Sequence, residues 1–441
     1  MTEIVISVET LKSLSTSLEA DTERGAALYL NYDAESDRYL VHDIEIAEED
    51  DRLAATEVEI TFAPLFLTRI TRRARQRQVH LAIVHTHPLG CENFSCVDDR
   101  TEEGLAEFIR SRNPASQAFS MILCGGTLKA RRFATFEAIT VRYVGREVKF
   151  SGLIAPEAEN NQRYDRQVMA FGARAQSTLN RMRAAIVGLG GTGSVVAQQL
   201  AYLGLGDFVL IDPDRVEETN LNRVVGANAG SVGRTKVDVA AEMIIGVRPQ
   251  ARVSRHETSV ISEQGRRLLC SVDCIFVCTD SHVSRAFISE FAYQYLVPAF
   301  DVGVSINACG GAVQAVTGRT QMLAPGLPCL LCSNALDARV IREELMTPEQ
   351  RAADPYFNEG GVKQPAVISI NSTMVSLAVT MFLAAFAGIP SRARWQSYDA
   401  LGGGVRVLAT KTDLDCSICG EEGVVGAGDS RRLTFLLPSG A

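Results

Sequence analysis

The pattern of apolar and polar positions changes character partway along the chain. In the first third, short apolar stretches alternate with turn residues. Residues 27–32 and 39–46 predict a hairpin around the polar turn at 33–37. Residues 64–78 predict a helix whose end is basic, with Arg69, Arg72, Arg73, Arg75 and Arg77. That face reads first as a solvated surface and second as a docking surface for an acidic partner. Residues 79–84, 119–124 and 139–144 predict further strands. From Asn161 the pattern becomes strand, loop and helix in alternation, the mark of a doubly wound α/β sheet. Residues 184–187 and 208–211 are apolar strands on either side of a glycine loop and its helix, and 274–278 is another strand. The longest apolar run, 374–389, includes Ser376 and Thr380 and is short for a membrane span, so it predicts a buried helix. No internal repeat is visible.

These patterns divide the chain into a mixed α/β domain at 1–150, a linker at 151–162 carrying Pro156 and an acidic polar run, a doubly wound domain at 163–420, and a glycine-rich, partly mobile tail at 421–441. The length of 441 residues fits two or three domains. A net charge of −8 and a pI near 5.5 argue against binding nucleic acid through its phosphates. Residues 1–15 show no basic segment followed by an apolar core, so no signal peptide is expected. Eleven cysteines without an export signal point to metal ligands and free thiols rather than disulfides. The expected location is the cytoplasm, with no membrane partner.

The first third carries His85-Thr86-His87-Pro88, followed by Ser95 and Asp98. Two histidines one residue apart on a strand point the same way. With Asp98 a short loop later, they supply three nitrogen and oxygen ligands and leave one position for water, as in a catalytic zinc site. Zinc-bound water is a nucleophile at neutral pH. Such chemistry needs a general base and a donor to the developing oxyanion. Ser95 is placed to donate. For the base, Glu23 fits best, two residues before Gly25 and an apolar strand; Glu19, Glu45 and Glu48 compete with it.

His-x-His-Pro, six residues, then Ser-x-x-Asp resembles the signature of the JAB/MPN (JAMM) metalloproteases, which cut peptide or isopeptide bonds after the C-terminal glycine of ubiquitin-like proteins. The resemblance implies that His85, His87 and Asp98 hold zinc, that Ser95 supports the transition state, and that Glu23 is the acid/base.

The second motif is Gly188-Leu189-Gly190-Gly191-Thr192-Gly193, after a strand and before a helix. Its glycines let backbone N–H groups approach phosphates at a helix N-terminus. Asp212 ends the next strand, where it can accept a ribose hydroxyl. Dinucleotide enzymes share both features. What separates this chain from them is Asp212-Pro213-Asp214, Asn220-Leu221-Asn222-Arg223, Lys236 and Asp280. Arg223 and Lys236 can neutralise a triphosphate and Asp280 can hold magnesium. Such a cluster suits a carboxylate attacking the α-phosphate of ATP rather than hydride transfer.

Residues 161–420 resemble the ThiF/MoeB-type adenylyltransferases, the superfamily that includes ubiquitin-activating enzymes. Arg163-Tyr164-Asp165-Arg166-Gln167 matches the opening motif. The match implies that Arg166 is an arginine finger reaching the partner subunit's ATP in a homodimer, and that Asn220, Arg223, Lys236 and Asp280 serve ATP and magnesium. Cys329-Leu330-Leu331-Cys332 and Cys416-Ser417-Ile418-Cys419 form two knuckles that read as a structural zinc site of four thiolates, with a redox role as the alternative. One departure stands out. Phe357 falls where many members carry a catalytic cysteine, and no cysteine lies between Cys332 and Cys416.

Together the motifs predict a zinc-dependent (iso)peptidase joined to an enzyme that adenylates the C-terminal glycine of a ubiquitin-like protein, working with a conjugating-enzyme-like partner. The alternatives are activation of a sulfur-carrier protein, and a binding scaffold with one inactive half.

Overall fold

The computed structural model describes residues 2–88, 90, 93–151, 162–309, 312–353 and 365–437. Most of the expected linker, Cys91 and Phe357 lie outside the described residues. The chain forms two compact units. One comprises Met1–Ile154, Gln294–Leu296 and Val424–Arg431; the other comprises Ala155–Tyr293, Val297–Gly423 and Arg432–Ala441.

The first unit is a mixed α/β fold. It runs β1 (Glu3–Ser7), α1 (Val8–Ser17), β2 (Gly25–Asp33), β3 (Arg38–Ile46), β4 (Arg52–Ala55), β5 (Ile60–Phe62), α2 (Pro64–Arg77), β6 (His80–Thr86), α3 (Cys96–Arg112), β7 (Ala118–Cys124), β8 (Thr127–Arg132), β9 (Ala138–Val144) and β10 (Val148–Ser151). The large sheet has the order β1-β3-β2-β6-β7-β8-β9-β10, and β1 also pairs with β9, so the sheet curls back on itself. Period-two alternation gives each strand two faces. Ala26, Leu28 and Leu30 of β2 join Ala82 and Val84 of β6 in one core. Ala27, Tyr29, Leu81 and Ile83 join Phe66 and Ile70 of α2 and Ala106 and Ile109 of α3 in the other. His85 continues the Leu81, Ile83 face, so the strand's own alternation aims it at α3.

The basic end of α2 is solvated at Arg72 and Arg75, while its other arginines pair within the unit. Arg69 pairs with Glu45 and Asp51, Arg73 with Asp43 and Glu45, and Arg77 with Asp43, at 2.7–2.8 Å. Arg73 also lies 4.7 Å over the ring of Tyr29. Exposed pairs of this kind contribute about 0–1 kcal/mol each, so they orient α2 on β3 more than they hold the unit together.

Part of the glycine-rich tail is packed. Val424–Arg431 belongs to the first unit. The Asn31 amide donates to Gly426 O at 3.0 Å, and His42 Nδ1 lies 2.8 Å from Val425 O. Gly426 has φ +71°, and a Cβ there would strike Val41 O. At Gly426 the missing side chain permits close backbone approach.

The second unit runs α4 (Asp165–Phe171), α5 (Ala173–Arg181), β11 (Arg183–Val187), α6 (Gly191–Leu203), β12 (Asp207–Ile211), α7 (Lys236–Val247), β13 (Arg252–His256), α8 (Glu263–Cys270), β14 (Cys274–Val277), α9 (His282–Gln294), β15 (Ala299–Cys309), β16 (Ala312–Leu323), α10 (Ala338–Leu345), α11 (Pro348–Ala353), α12 (Ile368–Phe386), β17 (Trp395–Asp399) and β18 (Gly404–Val407). Its sheet has the order β13-β12-β11-β14-β15-β16-β17-β18. The first five are parallel and the last three antiparallel. Strand order reverses at β11, between β12 and β14, and ligands of open α/β sheets bind at such a switch point. The apolar helix α12 is long and apolar enough to cross a membrane, but it lies against the sheet. Phe382 packs at 5.6 Å from Phe276 and 5.9 Å from Phe300.

Candidate active sites

In the first unit, four elements converge. Gly25 at the start of β2 pairs in register with His85 of β6, and Thr86 N donates to Arg24 O at 2.9 Å. That ladder holds Glu23 beside the histidines. A Cβ at Gly25 would collide with the ring of Phe62, so the glycine after Glu23 is required by packing. On the other side, Ser95 caps α3 in a capping box: Ser95 Oγ accepts from Val97 N and Asp98 N at 3.2 Å, and Asp98 Oδ2 accepts from Ser95 N at 2.5 Å. The box fixes Asp98 at the helix start, in line with the buried residues Glu102, Ala106 and Ile109.

The ligand atoms of His85, His87 and Asp98 all lie within 4.8 Å of one another. His85 Nε2 is 3.0 Å from Asp98 Oδ1 and 3.1 Å from His87 Nε2, and His87 Nε2 is 3.6 Å from Asp98 Oδ2. Ligands on a tetrahedral zinc with bonds of about 2.0–2.1 Å are about 3.3 Å apart, so this donor set fits that ion. Glu23 Oε1 stands 4.0 Å from His87 Nε2, and Glu23 is only 2% exposed. Burial raises the Glu23 carboxyl above its ordinary value, against the pull of both histidines. Burial also pushes Asp98 up, but hydrogen bonds with His85, His87 and the Ser95 N–H outweigh it and hold this carboxyl well below the usual range. The competing bases are placed elsewhere. Glu45 is taken up by Tyr29, Arg69 and Arg73, while Glu19 and Glu48 are exposed.

Sequence reading missed Glu102 and Arg131. Glu102 lines the same small cavity as Glu23, His85 and Asp98. Arg131 Nε donates to both Glu102 oxygens at 2.9 and 3.2 Å, and its guanidinium lies 3.8 Å from the Phe94 ring centroid and 4.6 Å from that of Phe136. The clamp ties α3 to β8 one turn beyond Asp98. The available signal was the four-residue step from Asp98 to Glu102, which puts both on one helix face.

In the second unit, a cavity of about 490 Å³ opens at the switch point. Gly188, Gly190, Gly191, Asp212, Asp214, Arg223, Lys236 and Asp280 all line it. Gly188 has φ +84°, and a Cβ there would lie 2.8 Å from Cys278 O. At Gly191 a Cβ would come within 2.5 Å of Asn371 Nδ2 and 3.1 Å of Arg223. The N-terminus of α6 has no side-chain cap, which leaves its N–H groups facing the cavity end of the loop. Asp212 accepts from Leu189 N at 2.5 Å and Asp214 N at 2.8 Å; burial raises its carboxyl, with Lys236 pulling the other way. Lys236 Nζ is 2.7 Å from Asp214 Oδ2.

Three predicted residues do not line this cavity. Gly193 does not line the cavity; it is pressed against Gly188 O, where a Cβ has no room. The Asn220 side chain accepts from Glu217 N and its carbonyl accepts from Arg223 N at 3.0 Å, so it shapes the turn that presents Arg223. Arg166 is exposed on α4 and is not among the lining residues. Arg285 and Asn371 line the cavity without having been foreseen. Asn371 sits near the start of an apolar helix, far along the chain, and nothing in its spacing points to the glycine loop.

The four knuckle cysteines come together, with Sγ atoms within 4.8 Å of one another. Cys329 lies 3.6 Å from Cys416 and Cys332 lies 3.5 Å from Cys419. A tetrahedral zinc with bonds of about 2.3 Å sets its sulfurs about 3.8 Å apart, so the set fits a structural ion. A hydrogen bond with Cys419 lowers the Cys329 thiol below its ordinary value, toward the thiolate that binds metal. Cys329→Ser is expected to remove one zinc per chain and lower the melting temperature by about 10 °C or more, read by metal analysis and calorimetry.

A doubly wound sheet with an uncapped glycine loop, a strand-end carboxylate and flanking cations defines a nucleotide-binding α/β enzyme domain. The chain belongs to the ThiF family, whose model matches residues 164–418; the second unit is thus a ThiF-type adenylyltransferase domain. Among curated relatives, it is 32% identical over 173 residues to ubiquitin-like modifier-activating enzyme 5 of Drosophila virilis, covering 36% of this chain and 43% of that one. The chain therefore spans less than half the length of that relative. It is 26% identical to the SAMP-activating enzyme E1 of Haloferax volcanii, over 61% of this chain and 92% of that one. It is 28% identical to the sulfur carrier protein adenylyltransferase of Thermus thermophilus, over 60% and 92%.

Proposed function

We propose that this protein is a two-site enzyme acting on the C-terminus of a ubiquitin-like protein. The second unit adenylates the terminal glycine with ATP; the first, of JAB/MPN type, cuts the bond that follows that glycine. The observation that carries the reading is the grouping of His85, His87 and Asp98 beside buried Glu23, in a chain whose other half belongs to a family of adenylyltransferases.

In the second unit the partner's carboxylate attacks the α-phosphorus, the bond to the β-phosphate oxygen breaks, and pyrophosphate leaves. The α6 N–H groups and the glycine loop orient the phosphates, while Arg223 and Lys236 offset charge as it shifts to the leaving group. Asp280 would hold magnesium, which neutralises the triphosphate. Asp212 accepts from the ribose. In homodimers, Arg166 would extend from exposed α4 to the partner subunit's nucleotide. The relatives' names support a ubiquitin-like or sulfur-carrier substrate.

In the first unit, His85, His87 and Asp98 would hold zinc, which supplies an activated water and polarises the scissile carbonyl. Glu23, as carboxylate, would take the water's proton and, once protonated, deliver it to the leaving amine; burial raises its pKa and so favours holding that proton between the two transfers. Two N–H groups already occupy the Ser95 oxygen. Its own proton is thus the part left to donate to an oxyanion.

The test is pyrophosphate exchange with ATP and a small partner ending in glycine, together with cleavage of a fusion extending beyond that glycine. Exchange without cleavage would remove the peptidase half; neither activity with a verified partner would remove both. A second reading, sulfur transfer, is favoured by the relative from Thermus thermophilus. Partner mass distinguishes them: a thiocarboxylate for sulfur transfer, an amide or ester conjugate for ligation.

A further inference from the structure

We infer that Glu344, in the segment that follows the Cys329 knuckle, is a positioning residue for Asp280. It latches that segment onto the loop carrying the catalytic carboxylate. This inference rests on the adenylation reading of the cavity.

The loop Cys278-Thr279-Asp280-Ser281 leaves β14 and enters α9. Its backbone is held on one side by Gly188, where a Cβ would lie 2.8 Å from Cys278 O and 2.9 Å from Thr279 N, so no side chain fits. Arg285 Nε donates to Thr279 O at 3.0 Å. Cys278 N also donates to Val187 O at 2.8 Å, and a further hold comes from Glu344, on α10. Its carboxylate accepts from Ser281 Oγ at 2.7 Å and from His282 N and Val283 N at 2.9 Å each. One side chain thus meets three donors at the start of a thirteen-residue helix. A negative charge there is favoured by the helix dipole as well as by the hydrogen bonds.

Two helix N-termini, those of α6 and α9, adjoin the cavity wall, through Gly191 and through Ser281 and Ser284. They are treated differently. The start of α6 has no side-chain cap, while the start of α9 is filled by Glu344. Phosphate is thereby directed to the glycine loop, and the α9 end is committed to holding Asp280 in place. The other end of α10 is tied down as well: Asp337 N donates to His282 Nδ1 at 3.1 Å. Arg351 of α11 donates to Glu344 O at 3.3 Å. If this segment lifts, the loop carrying Asp280 loses the three Glu344 hydrogen bonds.

Two readouts on the full chain test this. The first is tryptic cleavage after Arg339, Arg342 and Arg351, followed by mass spectrometry without any nucleotide. The second is the magnesium concentration giving half-maximal binding of a fluorescent ATP analogue. Glu344→Ala is expected to speed cleavage at those sites about tenfold and to raise the magnesium requirement about tenfold, the size of a lost charge-assisted contact. Glu344→Gln keeps one acceptor oxygen and should fall between. It also serves as the test if the alanine variant misfolds. Faster cleavage with unchanged magnesium dependence would make Glu344 a strut and overturn the positioning role. Unchanged cleavage would overturn the latch. If the wild type binds no ATP analogue, the adenylation reading fails and the positioning role with it, while the cleavage arm still decides the latch.

Discussion

Glu23→Gln is expected to slow cleavage of a ubiquitin-like fusion by about 10²–10⁴ while leaving zinc in place. Glutamine preserves the size of the side chain and its place at the foot of β2, but it cannot carry a proton between water and leaving group. Metal analysis separates this from ligand loss. The wild type should hold about two zincs per chain, one in each donor set. Glu23→Gln should match it, and His85→Ala should hold about one. Cleavage at the wild-type rate by Glu23→Gln would remove Glu23 from the mechanism. Retention of both zincs by His85→Ala would mean that the histidine pair is not a metal site, and would favour the scaffold alternative.

Asp280→Ala is expected to lower ATP–pyrophosphate exchange by about 10²–10³ or more, since it removes the carboxylate assigned to magnesium where charge builds up. Thermal stability should change little, because Asp280 is exposed on the cavity wall. Arg166→Ala should also lose exchange if Arg166 reaches across a dimer. Mixing the two inactive chains should then restore part of the activity, because one site of the mixed dimer carries both intact residues. No recovery on mixing, with mixed dimers verified, would place Arg166 outside the partner's site.

The parts of this architecture that could be read from residue order are those fixed by local periodicity. The helix at 64–78 and the strands around 79–84, 119–124 and 139–144 appear within a residue or two as α2, β6, β7 and β9. The same alternation that predicts β6 also aims His85 along the Leu81, Ile83 face. What residue order did not disclose depends on tertiary approach. The arginines of α2 find their partners on β3, some thirty positions earlier in the chain. Asn371 reaches the glycine loop only because α12 packs on α6. The tail's glycine content suggested partial mobility, but at Gly426 the missing side chain is what lets the backbone touch Val41. Glycine spacing alone does not distinguish a flexible stretch from a tight one.

That last contact bears on how the polypeptide can be divided. Residues beyond Cys419 complete the amino-terminal half, so no single cut yields two intact pieces. A fragment ending at Ile154 would expose the Asn31 amide and a notch shaped for a backbone without a side chain. A premature stop near residue 420 would leave the same wound. Frameshifts late in the gene should therefore harm the first unit, although most of its residues lie before Ile154.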